Sequence, residues 1–161
     1  YADLTAYADH LEPKGSVVAK NEDLSPPPSA RYKDIAVSGE YADHLQSLGS
    51  NFIGANDGAE AAFPAGSPNV NGDYVGTSAA DLDPGLASLA DNGGPTETHA
   101  ILAGSPLINR GPVPCTDAND NLVAEDQRGQ PRPVGRADIG AFEGGFKAVN
   151  PIPGTSLLLL E

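Results

Sequence analysis

The sequence predicts an all-β chain of short strands and many tight turns, on three observations. Glycine (19) and proline (15) together make up about a fifth of the 161 residues, against an average of about 12%. This excess argues against long helices. Hydrophobic residues reach 39%, yet Trp and Met are absent and Tyr and Phe number 5 and 4, so the core is expected to be aliphatic. Finally, short apolar runs are bounded by glycine, which suits a stacked parallel sheet. The length allows one domain with a modest core.

Residues 1–40 form a segment with little pattern. Tyr-Ala-Asp-His-Leu occurs at 7–11 and again at 41–45. That separation exceeds the roughly 20–25 residues of a solenoid coil. A coil with an inserted loop at Pro26-Pro27-Pro28 fits it, and chance repetition is the alternative. From Tyr32 to Ile53, the runs Ile35-Ala36-Val37 and Leu45 to Leu48 are strand-sized and lie between Gly39, Gly49 and Gly54. Residues 54–81, rich in Gly, Asn, Asp, Pro and Ser, read as an excursion loop. From Leu82 to Gly111, turns at Asp83-Pro84, Asn92-Gly93-Gly94-Pro95 and Gly104-Ser105-Pro106 alternate with the strand candidates Thr98–Leu102 and Pro106–Ile108. Asp117 to Asn121 reads as a polar turn before Leu122-Val123, and Asp138 to Glu143 as a last short strand. Pro151 to Leu160 is a proline hinge leading into an apolar run, too short to span a bilayer.

The run Asp83-Pro-Gly-Leu-Ala-Ser-Leu-Ala-Asp-Asn-Gly-Gly-Pro-Thr-Glu-Thr-His-Ala-Ile-Leu-Ala-Gly-Ser-Pro-Leu-Ile-Asn-Arg-Gly111 resembles the closing signature of bacterial surface proteins of the choice-of-anchor Q type. Its second half follows at Asp126-Gln-Arg-Gly-Gln-Pro-Arg-Pro133 and Asp138-Ile-Gly-Ala-Phe-Glu143. Leu48-Gly-Ser-Asn-Phe-Ile-Gly54 and Asn71-Gly-Asp-Tyr-Val-Gly76 look like the coil just upstream. The resemblance spans about residues 45–146. It implies a right-handed parallel β-helix similar to pectate-lyase solenoids, here a short solenoid made of its last coils. The coils would occupy 41–110 and an irregular Gly/Pro-rich C-terminal cap 111–146, with 147–161 a tail similar to the start of a sorting signal. Many relatives carry a second cysteine where this chain has Ala137. The start at Tyr1, without Met or signal peptide, reads as a processed or truncated piece.

The net charge of −13 disfavours phosphate backbones and anionic lipid. Ten acidic residues and no Lys or Arg lie between Lys33 and Arg110. Acidity of this kind suits solubility in a saline extracellular medium. Weak Ca²⁺ binding is the functional alternative, and no other cofactor is expected. Within the signature, Asn92, Gly93, Gly94 and Pro95 supply a reversal that takes the chain off the last coil. Arg128 is expected to grip Asp138 or Asp126 through a two-pronged bond that fastens the cap. Asp117, Asn119 and Asp120 have the oxygen-rich spacing of a Ca²⁺ loop but lack the downstream Glu of an EF-hand, so a plain turn is favoured. Cys115 is read as an inert thiol, with pairing to another chain as the alternative. Asp81, Asp83, Asp91 and Glu97 could form a lyase-like carboxylate cluster, but no basic residue accompanies them. His99 reads as a structural histidine.

The expected function is therefore a non-enzymatic extracellular or cell-surface structural protein: a scaffold, adhesin or filament-forming subunit. It would associate with itself or with other surface proteins. A carbohydrate-binding or polysaccharide-degrading module is the alternative. Nucleic acid and direct membrane insertion by this fragment are not expected.

Overall fold

Three stretches of the sequence run from a glycine through small polar residues to two apolar residues and a small one. They are Gly15-Ser-Val-Val-Ala19, Gly49-Ser-Asn-Phe-Ile-Gly54 and Gly72-Asp-Tyr-Val-Gly76. In the computed structural model, which describes residues 13–20, 34–35, 45–133 and 135–144, each becomes a two-residue strand. β1 is Val17–Val18, β2 Phe52–Ile53 and β3 Tyr74–Val75. They pair in parallel in the order β1-β2-β3, with Val17 beside Phe52 beside Tyr74, and Val18 beside Ile53 beside Val75.

Successive side chains of a strand point to opposite faces, so this thin sheet serves two cores. Phe52 and Tyr74 pack with Leu107 and Ile139, joined by Val17, Leu86 and Ile101. Ile53 and Val75 pack on the other face with Leu45, Ala59 and Phe63, joined by Val18 and Ile35. Phe52, Ile53, Phe63 and Leu107 are fully buried. Burial of each such side chain contributes about 1.5–3 kcal/mol before entropy is counted.

Ser16, Asn51 and Asp73 stand one position before the three strands and form a polar row across them. Asn51 Nδ2 donates to Asp73 Oδ1 (2.9 Å), Ser47 Oγ (3.1 Å) and the Pro13 carbonyl (2.9 Å). Its Oδ1 accepts from Ser16 N–H (3.0 Å), and Asp73 Oδ1 also accepts from Asn51 N–H (2.9 Å). Asn51 and Asp73 are wholly buried, so each polar atom needs these partners. The residues after the strands must be small for the same stacking. A Cβ on Gly76 would collide with the Gly54 carbonyl oxygen and lie 2.8 Å from Leu82 N and 2.9 Å from Ala80 O.

A second, antiparallel sheet follows. β4 (Leu86–Ala90) and β5 (Thr98–Ile101) pair Leu86 with Ile101, Leu89 with His99 and Ala90 with Thr98, with an irregularity between Leu86 and Leu89. Leu86 and Ile101 pack onto the Phe52–Tyr74 face. The C-terminal half thus folds back over one side of the parallel sheet.

The right-handed parallel β-helix expected from the resemblance is not what forms. Among the described residues, parallel pairing is confined to one three-stranded sheet, and the second sheet is antiparallel; no coil closes into a solenoid. The segments between strands use turn and side-chain hydrogen bonds instead of further ladders. Asn56 Nδ2 binds the Phe63 carbonyl (2.7 Å), and Asn69 Nδ2 binds the Pro64 carbonyl (2.7 Å). Gly66 pairs antiparallel with Val75 through Gly66 N–H to Val75 O (3.0 Å) and Val75 N–H to Gly66 O (2.7 Å). That exchange closes the outer edge of β3 and ends the parallel stack.

Smaller expectations change as well. The stretch read as a loop, 54–81, contains β3, and β4 and β1 were not anticipated. Pro106–Ile108 and Asp138–Glu143 form turns and bends, although Leu107 and Ile139 are buried. The Tyr-Ala-Asp-His-Leu repeat, apart from Leu45, lies outside the described residues, as do Pro26–Pro28, Ala36-Val37 and the tail.

Gly76→Ala is expected to lower stability by about 2 kcal/mol through this overpacking. In a urea titration the midpoint should fall by roughly 1 M. Gly135→Ala, where nothing lies within 4 Å of the added carbon, should stay within about 0.5 kcal/mol of the parent.

Candidate functional site

The reversal Asn92-Gly93-Gly94-Pro95 joins β4 to β5. Asn92 Nδ2 bonds the Thr98 carbonyl (2.7 Å), and Gly93 N–H donates to Asp91 Oδ1 (3.0 Å). Gly94 has φ +88°, and a Cβ there would sit 2.6 Å from Arg128 Cα. The turn therefore presses on the second half of the signature, which only a residue lacking a side chain permits.

Arg128 reaches Asp126, not Asp138. Its Nε (3.0 Å) and Nη2 (2.7 Å) converge on one oxygen, Asp126 Oδ2, so the expected fork onto two oxygens is absent. Nη2 also donates to the Glu143 carbonyl (2.9 Å), and the guanidinium carbon lies 3.5 Å from the centre of the Phe142 ring. Asp126 Oδ1 accepts the N–H groups of Arg128 (2.8 Å) and Gln130 (3.0 Å), while Oδ2 takes Glu143 N–H (2.9 Å). Asp138 has a different task. Its Oδ1 holds Asn109 N–H and its Oδ2 holds Gly144 N–H, both at 2.7 Å.

Sequence reasoning missed the pair that completes this knot. Arg132 Nη1 bonds Glu143 Oε2 (3.0 Å) and the Asp138 carbonyl (3.1 Å), while Nη2 bonds the Gly140 carbonyl (2.5 Å). Both side chains are nearly inaccessible, at 7% and 2% exposure. The only signal was that Arg132 and Glu143 fall inside the same signature.

Burial pushes the Glu143 carboxyl above its ordinary value. The Asp138 charge adds to this, and the Asp138 N–H and Arg132 oppose it without prevailing. For Asp126, burial is again the largest single influence and pushes upward. The combined hydrogen bonds from Glu143 N–H, the Arg128 side chain and the Gln130 and Arg128 amides outweigh it, so its carboxyl lies below the usual value.

The Asp117–Asn121 turn is tied together by Asp117 Oδ1, which accepts from Asn119 N–H (2.8 Å) and Asn121 N–H (2.9 Å). The side-chain and backbone donors of Asn121 hold the Asp117 carboxyl below its usual value. A cation stands at this turn, but it belongs to the chain. Lys14 Nζ donates to Thr116 Oγ1 (2.8 Å), the Asp117 carbonyl (3.1 Å) and Asp120 Oδ1 (2.9 Å). Its ammonium thus takes oxygens that sequence reasoning had weighed for Ca²⁺, and it anchors the turn to the start of β1. Cys115 is half-buried, and burial raises its thiol above the ordinary value. A thiol in that state is a poor nucleophile near neutrality.

A cleft of about 1070 Å³ runs along β1, with β4 and β5 as its wall and Leu107, Ile139 and Phe142 on its floor. Glu97, His99 and Gln127 line it as well. His99 Nδ1 lies 2.8 Å from the Ala87 carbonyl, a cross-strand tie that orients the ring. At the rim Lys20 pairs with Asp83 at 2.9 Å, and the Lys20 hydrogen bond, with that of Gly85 N–H, holds the Asp83 carboxyl low. Among the described residues, no group of three or more His, Cys, Asp or Glu side chains is gathered as a metal site.

The two perturbed carboxylates give opposite pH trends. Asp126 stabilises the fold above its ordinary 3.8, and this contribution is lost as pH falls through its lower native value. Glu143 opposes the fold increasingly as pH rises from its ordinary 4.5 to its higher native value. Thermal melts are therefore expected to peak in mild acid, to fall slowly toward neutrality and steeply in stronger acid. Glu143→Gln should flatten the decline toward neutrality, and Asp126→Asn should lower the peak and blunt the acid limb. Lys14→Met should speed amide exchange in 116–121 about tenfold, with under about 1 kcal/mol lost globally, since Asp120 is solvent-exposed.

A scan against protein-family models, a search of curated proteins and a search of solved structures return no match for this chain.

Proposed function

We propose that this chain is a non-enzymatic structural module of an extracellular or cell-surface protein, acting as scaffold, adhesin or assembly subunit. The observation that carries the reading is the use of its buried charged groups. Asp126, Asp138, Glu143, Arg128 and Arg132 each hold backbone groups of a segment that otherwise lacks a ladder. Reactive groups that serve as staples are fixed by neighbours rather than turned toward a substrate. Phe142, the aromatic ring on the cleft floor, is stacked under Arg128, which argues against its use as a sugar platform. The resemblance of 83–111 and 126–143 to choice-of-anchor Q surface proteins supports an extracellular setting, without the coil architecture. The net charge of −13 suits a saline exterior.

Brief protease treatment of intact source cells, followed by mass spectrometry, tests this reading. Peptides from residues 45–144 are expected in the released fraction, and electron microscopy should place the chain in a larger surface assembly. Peptides that emerge only after lysis, from a dispersed particle, would overturn it.

A further inference from the structure

The hairpin turn and the cap meet at one side-chain contact that the buried staples do not use. Gln127 Nε2 donates to Thr96 Oγ1 at 2.5 Å, across 31 residues of chain. Gln127 Cδ, one amide bond of about 1.3 Å further on, therefore lies no more than about 3.8 Å from the Thr96 hydroxyl oxygen. That is close to the roughly 3–3.5 Å of a near-attack geometry. The backbone on both sides holds the pair there. Gln127 N–H donates to the Ala141 carbonyl (3.1 Å), and the Asp126 carboxylate clamps the next residue by the Arg128 N–H (2.8 Å). A Cβ on Gly94 would sit 2.6 Å from Arg128 Cα and 3.3 Å from the Gln127 carbonyl oxygen, so the turn that carries Thr96 is seated on the Gln127 backbone. On its other side Thr96 leads into β5, where Thr98 is buried and its carbonyl holds Asn92 Nδ2 (2.7 Å). Thr96 and Gln127 are both exposed, and Glu97, next to Thr96 in the chain, lines the same cleft as Gln127.

We propose that Thr96 and Gln127 join in an intramolecular ester, a covalent staple between the hairpin turn and the C-terminal cap. Thr96 Oγ1 attacks Gln127 Cδ, and the hydroxyl proton passes to the Glu97 carboxylate. The tetrahedral centre collapses with breakage of the Cδ–Nε2 bond. The proton returns from Glu97 to that nitrogen, which leaves as ammonia. One C–O bond forms, one C–N bond breaks, and no oxidant, reductant or further reactant is required. A hydroxyl is a weak nucleophile until a neighbouring base takes its proton. Holding both partners on one folded chain offsets much of that deficit, because the step becomes intramolecular. Ammonia escapes from an exposed site into the medium, which draws the exchange forward. The product is a ring closed between residues 96 and 127, bracing the hairpin against the Asp126–Arg128 knot. Such a brace serves a scaffold or adhesin that must keep its shape outside the cell. The inference deepens the structural reading and rests on it for that use.

The test is peptide mapping by mass spectrometry of the full chain, freshly purified and after prolonged incubation at neutral pH, denatured only for digestion. Trypsin cuts after Lys33, Arg110 and Arg128, so an unlinked chain yields residues 34–110 and 111–128 as separate peptides. The expected product is these two peptides joined, at their summed mass less one ammonia, in most of the incubated chain. Fragmentation should place the bond between Thr96 and Gln127. Thr96→Ser should keep the link. Thr96→Val and Gln127→Leu, both at exposed positions, should abolish it and leave the circular dichroism unchanged. Glu97→Gln should slow its formation at least about tenfold. Separate peptides of full mass after incubation overturn the inference. So does an ammonia loss that persists in Thr96→Val, which would belong to a cyclised Asn-Gly pair such as Asn71-Gly72 or Asn92-Gly93. Formation at the parental rate in Glu97→Gln overturns the proposed proton path. Failure here with surface exposure intact sinks only the staple; a linked chain in an intracellular protein sinks only the surface reading.

Discussion

Asp126 accepts five hydrogen bonds, from the amides of Arg128, Gln130 and Glu143 and from two nitrogens of the Arg128 guanidinium. Most of the C-terminal architecture depends on that carboxylate. It shapes the Asp126–Gln130 turn and brings Glu143 beside it. It also aims Arg128 across Phe142, and the Gly94 turn of the hairpin rests against the Arg128 backbone. Removing one partner from such a knot strands the others away from water, where an unpaired charge costs several kcal/mol. The knot is thus strongly cooperative even though an isolated buried ion pair is weak evidence for stability.

The same device appears on the parallel sheet, where Asp73 and Asn51 organise Ser16, Ser47 and Pro13. Strands of two residues cannot fix a register by periodicity alone, and a short ladder leaves many backbone groups unpaired. Carboxylate and amide side chains fill that deficit, each accepting or donating several bonds at once. A chain rich in glycine and proline can in this way form a defined core from Phe52, Ile53, Phe63, Leu107 and Ile139.

How far the sequence disclosed this follows from the range of each interaction. Asn92 to Pro95 was legible as a turn because its chemistry is local, and Asp126 was already a named partner for Arg128. Lys14 was not legible, since its bonds to Thr116 and Asp120 span more than a hundred residues. Arg132 and Glu143 are closer, but nothing local distinguishes a buried Arg from an exposed one. The solenoid failed for a related reason. Strand-sized runs between glycines are compatible with stacked coils and with a thin sheet alike. What decides between them is the fold-back of β4 and β5 and the Gly66–Val75 exchange, neither of which has a period. Leu86 to Ala90 alternates too weakly to announce a strand, and Gly15 to Ala19 matches its partners only once the polar row is seen.

The charge distribution ties these features to the outer surface. Lys14, Lys20, Arg128 and Arg132 each form an ion pair within the chain, and Arg110 lies 5.7 Å from the centre of the Tyr74 ring. These five of the described cations are engaged as internal ties, which leaves less positive charge to draw the chain to polyanions. An open strand edge ordinarily invites aggregation, which proteins resist by closing the edge or charging its surroundings. Here β3 is closed by a backbone exchange between Gly66 and Val75, and copies of a chain of charge −13 repel one another. That combination works against edge-to-edge stacking of copies at the β3 side of the sheet.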